Sequence, residues 1–567
     1  MVILEVPITT KTMIKTTNNS FFSIKGQIVD IFEKTIYSGE ITIDSGIIVN
    51  IKKLDYAPQR YIMPGLIDAH VHVESSMLTP ANFAKMVVPR GTIAVLADPH
   101  EIANVTGEKG IQFMIDDAKK VPMRFFFGAP SCVPATTFET SGAVLNAEAV
   151  AKLLENSDIH FLSEMMNYPG VINNDVEVMS KINAAIKNKK RIDGHAPGLS
   201  GEALKKYIAA GISTDHECST LEEALEKINL GMKIQIREGS AAKNFKTLAP
   251  LFNTHPESLM LCTDDSHPDE IEKYGHIDKI IKLGLELGYD FFDLLRAASI
   301  NIIEHYNLPI GCGRVGESAD FIIVEDLKTL KVLNSFIAGQ NIFNSDTGVN
   351  FSTPIYNIRS KNINKNFDLS EIEVKMPEDK KFVKVIEIEE ASLITKKFLW
   401  QPKLNEDRII NTDIQNDILK IVVINRYAEA KPVIGFIKNF GLKTGAIASS
   451  IAHDSHNYIA VGIDDESIIT AINKILSHGG GICAIEKDKY YHEILNLPVA
   501  GLISISNGKQ VSEQYQYFNI KAKKMGCPLK SPYMTLSFMS LLVIPELKIG
   551  DKGLFDNEKF QFTELFE

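Results

Sequence analysis

Between residues 66 and 267 the chain repeats one pattern. A short apolar run is followed by a longer polar stretch whose apolar positions recur at helical spacing. The apolar runs are LIDAHVHV (66–73), IAVLADPH (93–100), MRFFFGAP (123–130), HFLSEMMN (160–167), RIDGHAP (191–197), ISTDHE (212–217), MKIQIREGS (232–240) and LMLCTDDSH (259–267). Stretches such as NAEAVAKLLEN, GEALKKYIAAG and TLEEALEKINLG fill the intervals and predict helices. Eight strand–helix alternations predict an α/β fold, a (β/α)₈ TIM-like barrel. An open doubly wound sheet is disfavoured, because no early strand is followed by a glycine-rich nucleotide turn. Two segments with period-two alternation and glycine turns, Gln27–Ile51 and Ala319–Phe343, flank the barrel. A Lys/Asn/Glu-rich linker begins near Lys361, and a further α/β region follows it. The expected domains are therefore 1–60, 61–310, 311–360 and 361–567.

Composition narrows the class. The 567 residues are 45% hydrophobic and 23% charged, as in ordinary globular proteins, and too many for one core. A net charge of −11 with no long basic run argues against a nucleic-acid partner. The six cysteines show no CxxC spacing, so neither a disulfide framework nor a thiolate metal site is expected. The opening MVILEVPITTKTMIKT lacks the pattern of a signal peptide, and no apolar run reaches the ~18–20 residues that cross a bilayer. A cytoplasmic protein with no membrane partner is the expectation.

Candidate chemistry sits where the predicted strands end, which is where barrel enzymes place it. His70 and His72 are two apart on one strand, so both imidazoles face one side. Glu164 ends strand four, His195 strand five, His216 strand six, and Asp264 with Asp265 strand eight. Imidazoles and carboxylates converging on one face form a ligand set for Zn, Mn or Fe. Separate structural jobs for six residues at corresponding positions are a poor alternative. Other residues stay open between two roles. His100 and Glu101 either contact substrate or support those that do, and so does Asp98. Arg237 and Glu238 either recognise substrate edges by hydrogen bonds or form an ion pair at the rim. Glu74, Ser75 and Ser76 suit loop capping, and His267 is either a substrate contact or an ordinary loop histidine. His453, Asp454 and His456 form a cluster without further ligands at metal spacing, so a conformational role or an approach to the barrel mouth is favoured.

The paired His70 and His72, the strand-five and strand-six histidines and the strand-eight aspartate resemble the amidohydrolase superfamily. MPGLIDAHVHVESSML, ADPHEIANV, FLSEMMNYPGV, IDGHAPGL, STDHE, IREGSAAKN and LCTDDSHP resemble its adenine deaminases, as do AHDSHNYIAVG, LPVAGLIS and LSFMSLLVIPELK further on. The resemblance spans nearly the whole chain. It implies that the flanking segments form a small composite β-sandwich. It implies two divalent metal ions, Mn, Fe or Zn with Mn or Fe preferred. His70 and His72 hold one, His195 and His216 the other. Glu164 bridges them where many relatives use a carboxylated lysine. Asp264 binds metal and moves protons, a role Asp265 could also fill. The implied reaction is hydrolysis of adenine, a small purine base, to hypoxanthine and ammonia, and a homo-oligomer, a dimer, is the expected assembly. Rival readings are an amidohydrolase acting on a cyclic imide or N-acyl sugar, and a barrel that has lost its site. Cyclic-imide enzymes that bind a carboxylated substrate tend to carry an arginine soon after HxH where this chain reads HVHVESS, and a sugar deacetylase has its carboxylate ligand elsewhere. A barrel that has lost its site lacks ligands that this chain has.

Overall fold

The computed structural model describes residues 21–240, 242–356, 366–390, 392–486 and 493–567. The first twenty residues and the linker around Lys361 lie outside them. Eight parallel strands form the central barrel: β1 (Leu66–Val71), β2 (Thr92–Ala97), β3 (Arg124–Ala129), β4 (Ile159–Met165), β5 (Arg191–Gly194), β6 (Thr214–Asp215), β7 (Lys233–Arg237) and β8 (Leu259–Cys262). β1 to β5 make one sheet and β6 to β8 another. Parallel bridges close both seams, Ile192 with Ile212 and Val71 with Asp264. β1 and β2 are buried at every position, which explains why they read as continuous apolar runs rather than alternating ones.

Capping side chains start the helices where the polarity pattern predicts. Asn146 caps Ala147–Glu155, Asp175 caps Val176–Lys187, and Thr220 caps Leu221–Asn229, each accepting from a backbone N–H in the first turn.

The two flanking segments form one eight-stranded sheet. Its halves join where Tyr61–Pro64 pairs with Phe321–Val324. The expected barrel boundary at residue 61 therefore shifts, because that strand belongs to the flanking sheet. Phe22 and Phe336 lie on strands three places apart in the order, yet their rings stack at 6.1 Å. Flat strands ~4.8 Å apart could not bring them that close, so the sheet curls over its own apolar face.

The region after residue 366 holds a second eight-stranded sheet, a three-stranded sheet (Leu547–Gly550, Gly553–Asp556, Gln561–Thr563) and two long helices, Asp465–Ser477 and Gly508–Lys524. It docks on the carboxyl ends of the barrel strands. The Ser504 N–H donates to the Met77 carbonyl at 2.8 Å, Asn82 donates to the Ser506 carbonyl at 3.0 Å, and Asn457 donates to the Thr140 carbonyl at 3.1 Å. No helix among the described residues is long and apolar enough to cross a membrane.

Candidate metal centre and active site

The strand ends are held in register by buried polar links. Tyr207 donates its hydroxyl to the Met165 carbonyl at 2.8 Å and accepts the His195 N–H at 3.0 Å, tying β4 to β5. Asp215 accepts the Ala196 N–H at 2.9 Å and pairs with buried Lys227, which also donates to the Ala196 carbonyl, so β5 and β6 are joined. Asn244 donates to the His216 carbonyl and accepts the Arg237 N–H, joining β6 to β7. At β8 the Asp264 backbone inserts between those of His70 and His72, at 2.9 and 3.1 Å. Asp264 takes a left-handed φ of 56° to do so, which aspartate tolerates better than most residues.

This scaffold gathers five of the sequence-predicted residues around a sixth, Glu164. Its carboxylate lies 2.7 Å from His195 Nδ1, 3.4 Å from His72 Nε2, 3.4 Å from His216 Nε2 and 3.8 Å from His70 Nε2. Asp264 lies 3.1 Å from His72 Nε2 and 3.7 Å from His70 Nε2. Burial works against ionisation of Glu164, but His195, His216 and His72 outweigh it and hold the carboxyl well below its usual range. Burial likewise opposes the Asp264 carboxylate, and Arg237 and His72 overcome it.

The donor chemistry fits a metal. Among the described residues, buried His70 has neither ring nitrogen hydrogen-bonded, and His216 Nδ1 is also without a partner. Unsatisfied buried nitrogens are costly unless a cation takes the lone pair. His72 Nδ1 lies 3.1 Å from the Asp98 carbonyl, which only accepts. Nδ1 therefore carries the proton, and Nε2 turns its lone pair towards Glu164 and Asp264.

Glu101, His453 and His456 look superficially similar but differ in tautomer. His453 Nδ1 meets one Glu101 oxygen at 2.7 Å, and His456 Nε2 bonds the other. The Ala452 N–H donates to His456 Nδ1, so the proton of His456 sits on Nε2 and is given to Glu101. This is a hydrogen-bonded clamp from the second sheet onto the barrel mouth. His453 is driven up to about 9 because Glu101 outweighs burial, while burial takes His456 down to about 4.

The remaining predicted residues divide. His100 Nδ1 is 3.1 Å from the Asp98 carboxylate, and His100 lines the cavity over the cluster with Glu101 and Asp265. Asp98 is fully buried, spending its carboxylate on His100 and its carbonyl on His72, and does not face the cavity. Arg237 lines the cavity but is paired, to Glu217 at 2.6 and 3.0 Å and to Asp264. Glu238 pairs with Lys243 at 3.5 Å, away from that cavity. Glu74 accepts the Ile102 N–H at the start of the helix His100–Thr106, and Ser75 donates to Asp265 at 2.5 Å. His267 packs on Tyr515 outside the cavity.

Two contributions escaped the sequence reading. Glu217 lies 3.4 Å from His216 and 3.6 Å from His195. Its one visible signal was adjacency to His216 in STDHE. The cavity's apolar wall of Leu393, Phe538, Leu541, Val543 and Ile544 comes from the C-terminal region and had no signal.

Comparison with known proteins adds to this geometry. Residues 61–342 match the amidohydrolase family and residues 392–561 match the adenine deaminase C-terminal domain. The chain is 53% identical over 551 residues to an adenine deaminase of Methanosarcina barkeri, covering 96% of this chain and 99% of that protein. It is 52% identical over 553 residues to one of Methanosarcina acetivorans, covering 95% and 99%. It is 48% identical over 553 residues to one of Borreliella afzelii, covering 96% and 100%.

Proposed function

This chain belongs to the adenine deaminase family of the amidohydrolases, and we infer that it hydrolyses adenine to hypoxanthine and ammonia. The observation that carries the reading is the convergence of His70, His72, His195 and His216 on Glu164 and Asp264 beneath a cavity with one apolar wall. Such a wall suits a planar base, and the polar floor suits attack by water on its amidine carbon.

His70, His72, Glu164 and Asp264 on one side, and Glu164, His195 and His216 on the other, would hold two divalent cations. When bound, a cation there would supply Lewis acidity that lowers the pKa of water from ~15.7 towards ~7 and so makes a nucleophile available at neutral pH. Glu164 provides the shared negative charge. Asp264, kept ionised by Arg237 and His72 against its burial, accepts a proton from the attacking water at Oδ1. That proton goes to ring N1, and the proton still on the attacking oxygen is carried by Asp264 to the exocyclic nitrogen, which departs as ammonia and leaves the C6 carbonyl. Asp98 holds the Nδ1 proton of His100, leaving Nε2 to meet the base. Glu101, kept ionised by His453 and His456 despite burial, faces the same space. Atoms balance as adenine plus water giving hypoxanthine plus ammonia.

The test is ammonia release from adenine by protein stripped of metal and then given Mn(II), Fe(II) or Zn(II). Activity is expected only after metal is restored. No ammonia from adenine under any metal refutes the substrate, and full activity without metal refutes the centre.

A further inference from the structure

The cavity over the ligand cluster is ringed by carboxylates, and nearly all are engaged within the protein. Glu164 is bonded to His195, Asp264 to Arg237, Glu217 to Arg237, Glu101 to His453 and His456, and Asp265 to Ser75. Asp454 stands apart. It lines the same cavity from the C-terminal side, is 5% exposed, and its Oδ2 has no hydrogen-bond partner among the described residues. Its other oxygen comes no nearer than 4.0 Å to His453 Nδ1, a nitrogen already bonded to Glu101 at 2.7 Å. Buried carboxyl oxygens are costly to leave unpaired, so such a group next to a reaction centre calls for a ligand donor.

The segment that presents Asp454 is braced on all sides. The His453 N–H donates to the Ser537 carbonyl at 3.1 Å, the His456 N–H to the Ala452 carbonyl at 2.7 Å, and Tyr427 donates its hydroxyl to the Ser455 carbonyl at 2.5 Å. Arg426 donates to the His456 carbonyl at 3.3 Å, and Glu101 clamps both imidazoles. A backbone held this way presents the carboxylate from a fixed position before a ligand arrives, which favours recognition.

We propose that Asp454 is a substrate-recognition residue donated by the C-terminal domain, accepting the ring N–H of the imidazole half of free adenine. This rests on adenine being the substrate. Free adenine carries one such N–H, whereas a base substituted at N9, as in a nucleoside, carries none. A carboxylate acceptor there selects the free base by hydrogen bonding as well as by shape. It also gives the domain a direct part in the reaction, since the barrel's own carboxylates are already committed.

The experiment uses the full-length, metal-loaded enzyme and the variants Asp454→Ala and Asp454→Asn. Two bases are compared: adenine, and 4-aminoquinazoline as substrate or competitor, in which a benzo ring replaces the imidazole and no ring N–H remains. Losing one charge-assisted hydrogen bond should raise the adenine KM of the alanine variant roughly 10–100-fold, with kcat falling less than KM rises. The asparagine variant, which keeps an uncharged acceptor oxygen, should lie between. Affinity for 4-aminoquinazoline should stay within about twofold of wild type. Metal content and melting temperature, measured alongside, should match wild type and so exclude a folding defect. An unchanged adenine KM in the alanine variant overturns the proposal, as does an equal loss for both bases. Wild-type enzyme that releases no ammonia from adenine would instead refute the substrate assignment beneath it.

Discussion

Arg237 offers the sharpest test of how the site is held together. Its guanidinium spans Glu217, at 2.6 and 3.0 Å, and Asp264, with the three side chains 11%, 17% and 7% exposed. Arg237→Met keeps the bulk but strands two buried carboxylates at once. Removing one partner of a buried pair costs about 3–5 kcal/mol, and two stranded acids place the loss at the upper end. For a unit the size of this barrel, at about 2–4 °C per kcal/mol, the melting temperature should fall by roughly 10–20 °C. Metal should soften the blow, because a cation bound by Asp264 replaces part of the missing positive charge. The fall should therefore be larger after chelation than in metal-replete protein. Both carboxyls are depressed in the folded state: burial opposes ionisation, and Arg237 first among their neighbours overcomes it. Depressed carboxyl values contribute stability above the unfolded pKa of ~4, and that contribution is lost as pH falls through the folded values. The difference between wild type and variant should thus be full at neutral pH and shrink in acid. Thermal unfolding followed by circular dichroism, with and without chelator, measures all of this. A melting temperature within about 2 °C of wild type in both states would refute the claim that Arg237 is what compensates the two acids. Arg237→Lys, which keeps the charge but not the fork, should fall between.

Two further outcomes are expected. Glu164→Gln keeps the shape but removes the one charge that touches all four imidazoles, so metal content should fall by at least one ion per chain and kcat by more than the ~10–100-fold typical of outer-shell changes; normal metal content and turnover would show that Glu164 does not bridge. Lys548 is fully buried, with Nζ donating to the Leu393 and Phe538 carbonyls, and burial pulls it down to about 7. Since an unfolded lysine titrates near ~10.4, wild type carries a penalty of about 4 kcal/mol below pH ~7 that fades by pH ~10. The stability of Lys548→Met relative to wild type should therefore improve by a few kcal/mol between pH ~10 and ~7 in denaturant melts, and a pH-independent difference would contradict it.

The cluster around Glu164 was legible because its signals are local. His70 and His72 announce themselves by the two-residue period of a strand, and Glu164, His195, His216 and Asp264 by ending apolar runs that burial on both faces makes conspicuous. Arg237 was legible as a residue but not as a role. Whether it reads a base or pairs with acids depends on Glu217 and Asp264, which arrive from neighbouring strand ends. Asp98 was left open between contact and support for the same reason: nothing in ADPHEIAN says that its carboxylate turns back onto His100 while its carbonyl fixes the proton of His72. The strand Tyr61–Pro64 runs straight into β1 with only Gly65 between them, so its membership of the flanking sheet is decided by pairing with Phe321–Val324 some 260 residues later. Periodicity carries no information at that range.

The C-terminal domain shows the same limit most clearly and also what it hides. His453 and His456 sit 352 and 355 positions from Glu101, and their spacing alone disfavours a metal site without saying what the pair touches. Only the Ala452 N–H on His456 Nδ1 decides the role, since it forces the Nε2 proton towards Glu101 and leaves no lone pair there for a cation. The consequence reaches the chemistry. With Glu101 held ionised from outside the barrel, and Leu393, Phe538, Leu541, Val543 and Ile544 closing one wall, a barrel alone would lack both the charge state and the dry face of the cavity. Docking of the two units is therefore part of the candidate site's assembly, and substitutions that weaken it, such as Asn457→Ala at the Thr140 carbonyl, should lower turnover without touching the cluster around Glu164.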